Sequence, residues 1–172
     1  MRKIINSAFT SLDGVTDDPS SWAIFDADSG QDAAEELQAL GGMLMGRGTY
    51  DYFADVMPKQ TGPYPDAINA IRKYVFSSTL TSTDWNNSTI IRDDVVSAVT
   101  QLKQQDGGDL MIYGHGRLSK TLLEHHLVDE TRFSVHPVLV GSGAGQTLSL
   151  KLLRATPSPN GVVALTYEPT SH

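Results

Sequence analysis

The chain has 172 residues, 40% hydrophobic and 19% charged, which suits one globular domain and neither a disordered chain nor a coiled coil. Its formal charge of −7, with 13 scattered Lys and Arg, argues against a general nucleic-acid binder. The absence of cysteine excludes a disulfide scaffold, a thiolate nucleophile and cysteine-type zinc sites.

The opening MRKIINSAFT has two basic residues but no apolar signal core and no small-residue cleavage site. No apolar run approaches the length that spans a bilayer. A cytoplasmic protein without a membrane or nucleic-acid partner is expected.

Residues 3–10, KIINSAFT, suit a short strand that SLDG then turns, and DGVTDDPSSW (13–22) is rich in turn formers. QDAAEELQAL (31–40) sets Ala34 and Leu37 on one helical face before Gly41-Gly42 stops it. MLM (43–45) is a short buried strand, and Thr49 to Asp55 is helical. The prolines of PKQTGPYPD (58–66) predict an irregular loop. KYVFS (73–77) and STIIR (88–92) read as strands, and VVSAVTQLKQQ (95–105) as an amphipathic helix. GDLMIYG (108–114) is a strand running into glycine, and RLSKTLLEHHL (117–127) is again helical. TRFSVHPVLV (131–140) is β-rich and broken at Pro137, GSGAG (141–145) is a flexible loop, and GVVALTYEP (161–169) closes the chain as a strand. The alternation predicts a layered α/β fold with a mostly parallel sheet and an antiparallel C-terminal strand.

Three predicted strand ends finish in small or hydroxylated residues: Gly46-Arg47-Gly48-Thr49, Ser77-Ser78-Thr79 and Gly114-His115-Gly116-Arg117. Ligands of open α/β sheets bind beyond the carboxyl ends of the strands. Two of these loops lead into a helix, whose first N–H groups lack partners and suit an anion. The local alternative for the first is that Gly46 eases the strand exit and Thr49 caps the helix. Trp22 and Phe25 flank a loop and are candidate walls of a cleft. Tyr50 and Phe53 suit a cleft wall or core equally. His136 reads as a satisfied, half-buried strand residue or as part of the cleft lining. The histidine spacings fit no metal motif, and no nucleophile elbow or Walker lysine is present.

Together and in order, SLDG (11–14), MGRGTYDYF (45–53), VFSSTL (75–80), MIYGHGRLSKTLLEHHLVDETRFSVHPVLVGSG (111–143) and VVALTY (162–167) resemble the dihydrofolate reductase-like superfamily, most closely its riboflavin-biosynthesis reductase branch. The resemblance covers nearly the whole chain and implies one three-layer α/β/α domain over residues 1–172. It implies an NADPH-dependent reductase, similar to 5-amino-6-(5-phosphoribosylamino)uracil reductase, that transfers a hydride to a small heterocyclic or carbonyl-type substrate. Arg47 would then pair with the 2′-phosphate and Thr49 cap the helix near the phosphates, with Gly46 and Gly48 allowing close approach. Ser78, with Ser77 beside it, would add to the 2′-phosphate site. Gly114, His115, Gly116, Arg117 and Leu118 would receive the pyrophosphate. Asp13 is the candidate catalytic residue, its alternative being a plain Asp-Gly turn, and Trp22 and Phe25 are the candidate substrate contacts. The branch commonly pairs, so a homodimer is expected, with TRFSVHPVLV as the shared face.

Two departures accompany the resemblance. Dihydrofolate reductases join a glycine pair by a cis bond where this chain has Gly114-His115. They also carry an acid on the first helix, and none of Asp26, Asp28 or Asp32 stands at the matching spacing. The zinc deaminase often fused to the riboflavin reductase needs cysteines this chain lacks. A non-catalytic dinucleotide-binding module is the alternative from another functional class.

Overall fold

The computed structural model describes residues 1–11, 13–25, 27–136, 138, 140 and 150–169. In chain order the elements are β1 (Ile4–Thr10), α1 (Ala27–Ala39), β2 (Gly42–Gly46), α2 (Arg47–Val56), α3 (Pro63–Ala70), β3 (Lys73–Phe76) and β4 (Ser88–Ile91). They continue with α4 (Val95–Gln104), β5 (Leu110–Tyr113), α5 (Arg117–Glu124), β6 (Glu130–Val135), β7 (Leu150–Pro157) and β8 (Val163–Pro169). All eight strands form one sheet in the order β4-β3-β2-β5-β1-β6-β8-β7. The first six run parallel, and β8 runs antiparallel between β6 and β7. The expected antiparallel C-terminal strand therefore lies inside the sheet, one position from its edge.

Helices cover both faces of the parallel part, as the continuous apolar strands require. On one face Met43, Met45 and Val75 meet Ala34 and Leu37 of α1, Tyr50 of α2 and Ile68 of α3. On the other, Ile4, Leu44, Leu110 and Ile112 meet Val99 and Leu102 of α4 and Leu122 of α5. Tyr50 belongs to the core and Phe53 packs against it, so neither walls a cleft.

Three local readings change. Residues 63–66 are not loop: α3 starts there, with prolines at its first and third positions. Its first intrahelical bond runs from the Asp66 N–H to the Gly62 carbonyl, 2.9 Å, so neither proline removes a needed donor. Helix α2 begins at Arg47 with Gly46 in the cap position, so Thr49 lies inside the helix and does not cap it. Strand β7 carries no burial alternation, since residues 152–157 are all exposed, and periodicity gives no sign of it. The GSGAG stretch and Pro137 lie outside the described residues. No described peptide bond is cis, so Gly114-His115 departs from the glycine pair in geometry as well as identity.

At the amino edge of the sheet, Gly41 and Gly108 touch backbone to backbone. A Cβ on Gly41 would sit 2.4 Å from the Gly108 carbonyl oxygen, so the α1–β2 turn admits only glycine. Asp129 orders the turn before β6. Its Oδ2 accepts the Ile4 N–H at 2.7 Å and pairs with Lys103.

Lys73 is fully buried at the start of β3. Its ammonium donates to the carbonyls of Asn69 (2.8 Å), Ile71 (2.9 Å) and Asn86 (3.1 Å) and lies 4.2 Å from the Trp85 ring centroid. Replacing it by methionine keeps the volume but leaves three carbonyls without a donor. Lys73→Met should cost about 2–4 kcal/mol, read as a lower urea midpoint with an unchanged slope.

Candidate active site at the carboxyl edge of the sheet

The parallel strands β4, β3, β2, β5, β1 and β6 all end on one edge. The register is tight there: Gly46 lies opposite Phe76, and Phe76 opposite Ile91. The next residues, Arg47, Ser77 and Arg92, therefore leave three adjacent strands side by side. The three loops singled out in the sequence follow β3, β2 and β5, which are neighbours.

Both helices that open here lack side-chain caps. Gly46 caps α2 with φ −74° and ψ 167°, and Gly116 caps α5 with φ −89° and ψ −166°. The first N–H groups of both helices are thus left for something outside the chain. The two starts adjoin, since a Cβ on Gly46 would lie 3.9 Å from that of Leu118. A Cβ on Gly48, Gly114 or Gly116 would meet nothing within 4 Å, so packing does not demand these glycines. Gly114 is required by its backbone, with φ +86°. Its carbonyl accepts from Asn6 Nδ2 at 2.8 Å, which ties the loop to β1.

The side chains are unevenly committed. Arg47 is half-exposed and its Nε donates to both Asp51 oxygens, at 2.7 and 2.6 Å. Ser77 Oγ accepts the Leu80 N–H at 3.0 Å, so it builds the turn that presents the exposed Ser78. Arg92 donates to the Leu80 carbonyl at 2.7 Å and lies on that same turn. Arg117 is exposed at the start of α5. His115 turns inward, its ring 6.0 Å from that of Phe133, and burial lowers its pKa, with Lys120 adding to the effect.

The other half of the edge belongs to β1 and β6. Asp13 Oδ1 accepts from Ser11 Oγ at 2.5 Å and from the Val140 N–H at 3.0 Å, so it joins the ends of both strands. His136 extends β6 and is 1% exposed. Its Nδ1 accepts the Ile24 N–H at 3.0 Å, which places the hydrogen of the neutral ring on Nε2, a buried atom with no partner. Phe9 at 4.8 Å and Trp22 at 5.6 Å stand edge-on to this ring, and Phe25 meets Phe9 at 5.7 Å. Trp22 and Phe25 thus join one aromatic group with Phe9 and His136 and lie outside both core clusters. Among the described residues, no group of three or more His, Asp or Glu is placed to hold a metal ion.

The chain and its fold have counterparts among known proteins. The model of the RibD C-terminal domain family matches residues 2–164. The chain belongs to that family. It is 31% identical to the uncharacterized protein YyaP of Bacillus subtilis (strain 168), over 96% of this chain and 94% of YyaP. It superposes on a candidate riboflavin biosynthesis protein from Shewanella sp. PV-4 with a TM-score of 0.74 at 21% identity, covering 98% of this chain and 99% of that one. It also matches the Thermotoga maritima diaminohydroxyphosphoribosylaminopyrimidine deaminase/5-amino-6-(5-phosphoribosylamino)uracil reductase, with a TM-score of 0.68 at 14% identity. That match covers 98% of this chain but 57% of the longer protein. The fold is that of the riboflavin-pathway reductases.

Several residues of this family member escaped the sequence reading. Glu36 is an acid of α1 that reaches the sheet, where it pairs with Arg132 of β6. Arg132 also donates to Glu130 at 2.5 Å. Tyr113, in register with Ser7, ends β5, and burial raises its phenol so that it stays neutral. Arg92 sits in an ordinary strand end, and only the register places it beside Ser77, with β3 between it and Arg47. His136 is buried rather than half-buried, and a histidine in an apolar strand gives no sign of which nitrogen is bonded.

Burial lowers the pKa of His136 below its ordinary 6.5. As pH falls, the unfolded chain takes up a proton that the folded ring resists, so folding stability declines through that window. Urea unfolding between about pH 7.5 and pH 5 should show this loss, and His136→Gln should flatten the slope. An equal slope in both proteins would contradict the assignment.

Proposed function

We propose that this chain is an NADPH-dependent reductase of the 5-amino-6-(5-phosphoribosylamino)uracil reductase type, acting on a small heterocyclic or carbonyl-type substrate. One observation carries the reading: two adjoining, uncapped helix starts and three cationic side chains follow neighbouring strands on one edge. The residues fit a dinucleotide. The N–H groups at Arg47–Thr49 and Arg117–Ser119 suit the pyrophosphate, and open space above Gly48 and Gly116 lets it approach. Arg47, Ser78 and Arg92 suit the 2′-phosphate, which separates NADPH from NADH. When bound, the cofactor supplies the hydride.

The chain's own residues align the partners. Asp13 fixes the turn after β1 against the segment after β6, so its role is to orient the reacting groups. Trp22 and Phe25 cover the cleft and exclude water. His136, neutral with its hydrogen on Nε2, offers a donor to an acceptor atom of the substrate. The alternative, a binding module without turnover, is favoured by the engagement of Asp13 and Glu36 in hydrogen bonds and an ion pair. Oxidation of NADPH by a panel of pterins, aminopyrimidines and small carbonyl compounds separates the two. Turnover of any compound supports the enzyme, while binding without turnover supports the module.

We also propose a homodimer. Strand β6 is flanked by β1 and β8, so the apolar edge left open is β7, where Leu152 and Leu153 are 52% and 49% exposed. An uncovered apolar edge strand is an adhesive surface unless paired. Sedimentation at micromolar concentration should give a dimer, and Leu153→Lys should shift it toward monomer.

For the cofactor, each charge-assisted contact is worth roughly 1.5–3 kcal/mol. NADPH should bind at least about tenfold tighter than NADH. Arg47→Ala should remove most of that gap, Arg92→Ala a smaller part, and neither should change NADH binding. Calorimetric titration decides it, and equal affinities for the two dinucleotides in the wild type would contradict the reading.

A further inference from the structure

The amino edge of the sheet, opposite the cofactor loops, carries a cleft of about 770 Å³. Arg2, Gly41 and Arg72, shortly before β1, β2 and β3, line it together with residues of α1, α3 and the α4–β5 turn. Its charged lining is Arg2, Asp66, Arg72 and Asp106. Arg2 is the unusual member. Three cationic side chains are buried among the described residues, and the other two are well engaged. Lys73 donates to three carbonyls, and Lys103 pairs with Asp129 and donates to the Leu127 carbonyl. Arg2 is 5% exposed, yet its guanidinium makes a single hydrogen bond among the described residues, from Nε to the Gly108 carbonyl at 2.6 Å. No carboxylate pairs with it there. Its Nη1 and Nη2 are not shut off from solvent. Glycine makes room for the group, since a Cβ on Gly41 would sit 2.3 Å from Nη2. A buried cation is thus held by one nitrogen at the wall of a cleft.

We propose that this cleft binds a small zwitterion, an amino-carboxylate whose carboxylate meets Nη1 and Nη2 of Arg2. The site stands apart from the reductase reading, because it lies at the other edge of the sheet. The paired terminal nitrogens of a guanidinium match the two oxygens of a carboxylate. A phosphate dianion suits the cleft less well, since Asp66 and Asp106 line it too. Those acids suit an ammonium instead. Helices α1, α3 and α4 also end here, and Leu40, Ile71 and Gln105, just beyond them, line the cleft. The carbonyl ends of helices carry partial negative charge and attract a cation. Two cationic and two acidic residues make a lining that is neutral overall yet charged, which fits a ligand of both signs. Leu40, Ala67, Ala70 and Ile71 offer apolar contact to the carbon chain between its ends.

The test titrates the full chain with 6-aminohexanoate while its amide NMR signals are followed, with hexanoate and hexylammonium as single-charge controls. The zwitterion should shift residues 38–41, 66–72 and 105–108 saturably and bind at least about fivefold tighter than either control. Arg2→Gln keeps a donor for the Gly108 carbonyl but removes the charged fork, and it should abolish saturation by the zwitterion. Asp66→Asn, at an exposed position, should narrow the gap between 6-aminohexanoate and hexanoate. No saturable shift with the zwitterion would overturn the proposal. Equal or tighter binding of hexanoate, or unchanged binding by Arg2→Gln, would do the same. Should Arg2→Gln fail to fold, the two controls and Asp66→Asn decide: an unnarrowed gap in that variant overturns the proposal. Shifts confined to residues 46–49 and 114–118 would place the compound at the cofactor edge and overturn it as well.

Discussion

Parallel register is the constraint on which the rest depends. Because six consecutive sheet positions run the same way, every loop after a strand is delivered to one edge. Gly46, Phe76 and Ile91 stand in line, so the residues that follow them are neighbours although they are far apart in sequence. The same register brings Thr10 opposite Val135 and sets Asp13 and His136 beside each other's strands. Function in this fold is carried by what each strand happens to end in.

The edge divides electrostatically along the boundary between β5 and β1. On one side, glycine-capped helices and arginines face outward with little packing to hold them there. On the other, carboxylates are absorbed into the structure: Asp13 in a turn, Glu36 and Glu130 around Arg132.

Much of this was legible in the chain, for specific reasons. The glycine-bounded loops after β2 and β5 were visible because strand-to-helix transitions leave a compositional trace, and the register then confirmed that they adjoin. The antiparallel C-terminal strand was visible through its alternation. Helix α3 was not, because prolines at its first and third positions resemble loop prolines unless the helix start is known. Strand β7 was not, because residues 152–157 of this edge strand are all exposed and give no periodicity to detect. Thr49 was read as a cap because it is a good cap by type, yet Gly46 takes the position. Glu36 and Arg92 could not be found at all, since their importance lies in partners brought by the fold.

The central claim is that the two helix starts and the arginines beside them form one dinucleotide site. A crystal structure of the chain grown with NADP⁺ tests this most directly. The account places the pyrophosphate between residues 46–49 and 116–118 and the 2′-phosphate against Arg47, Ser78 and Arg92. A dinucleotide bound elsewhere, or with its 2′-phosphate in solvent away from both arginines, would contradict it.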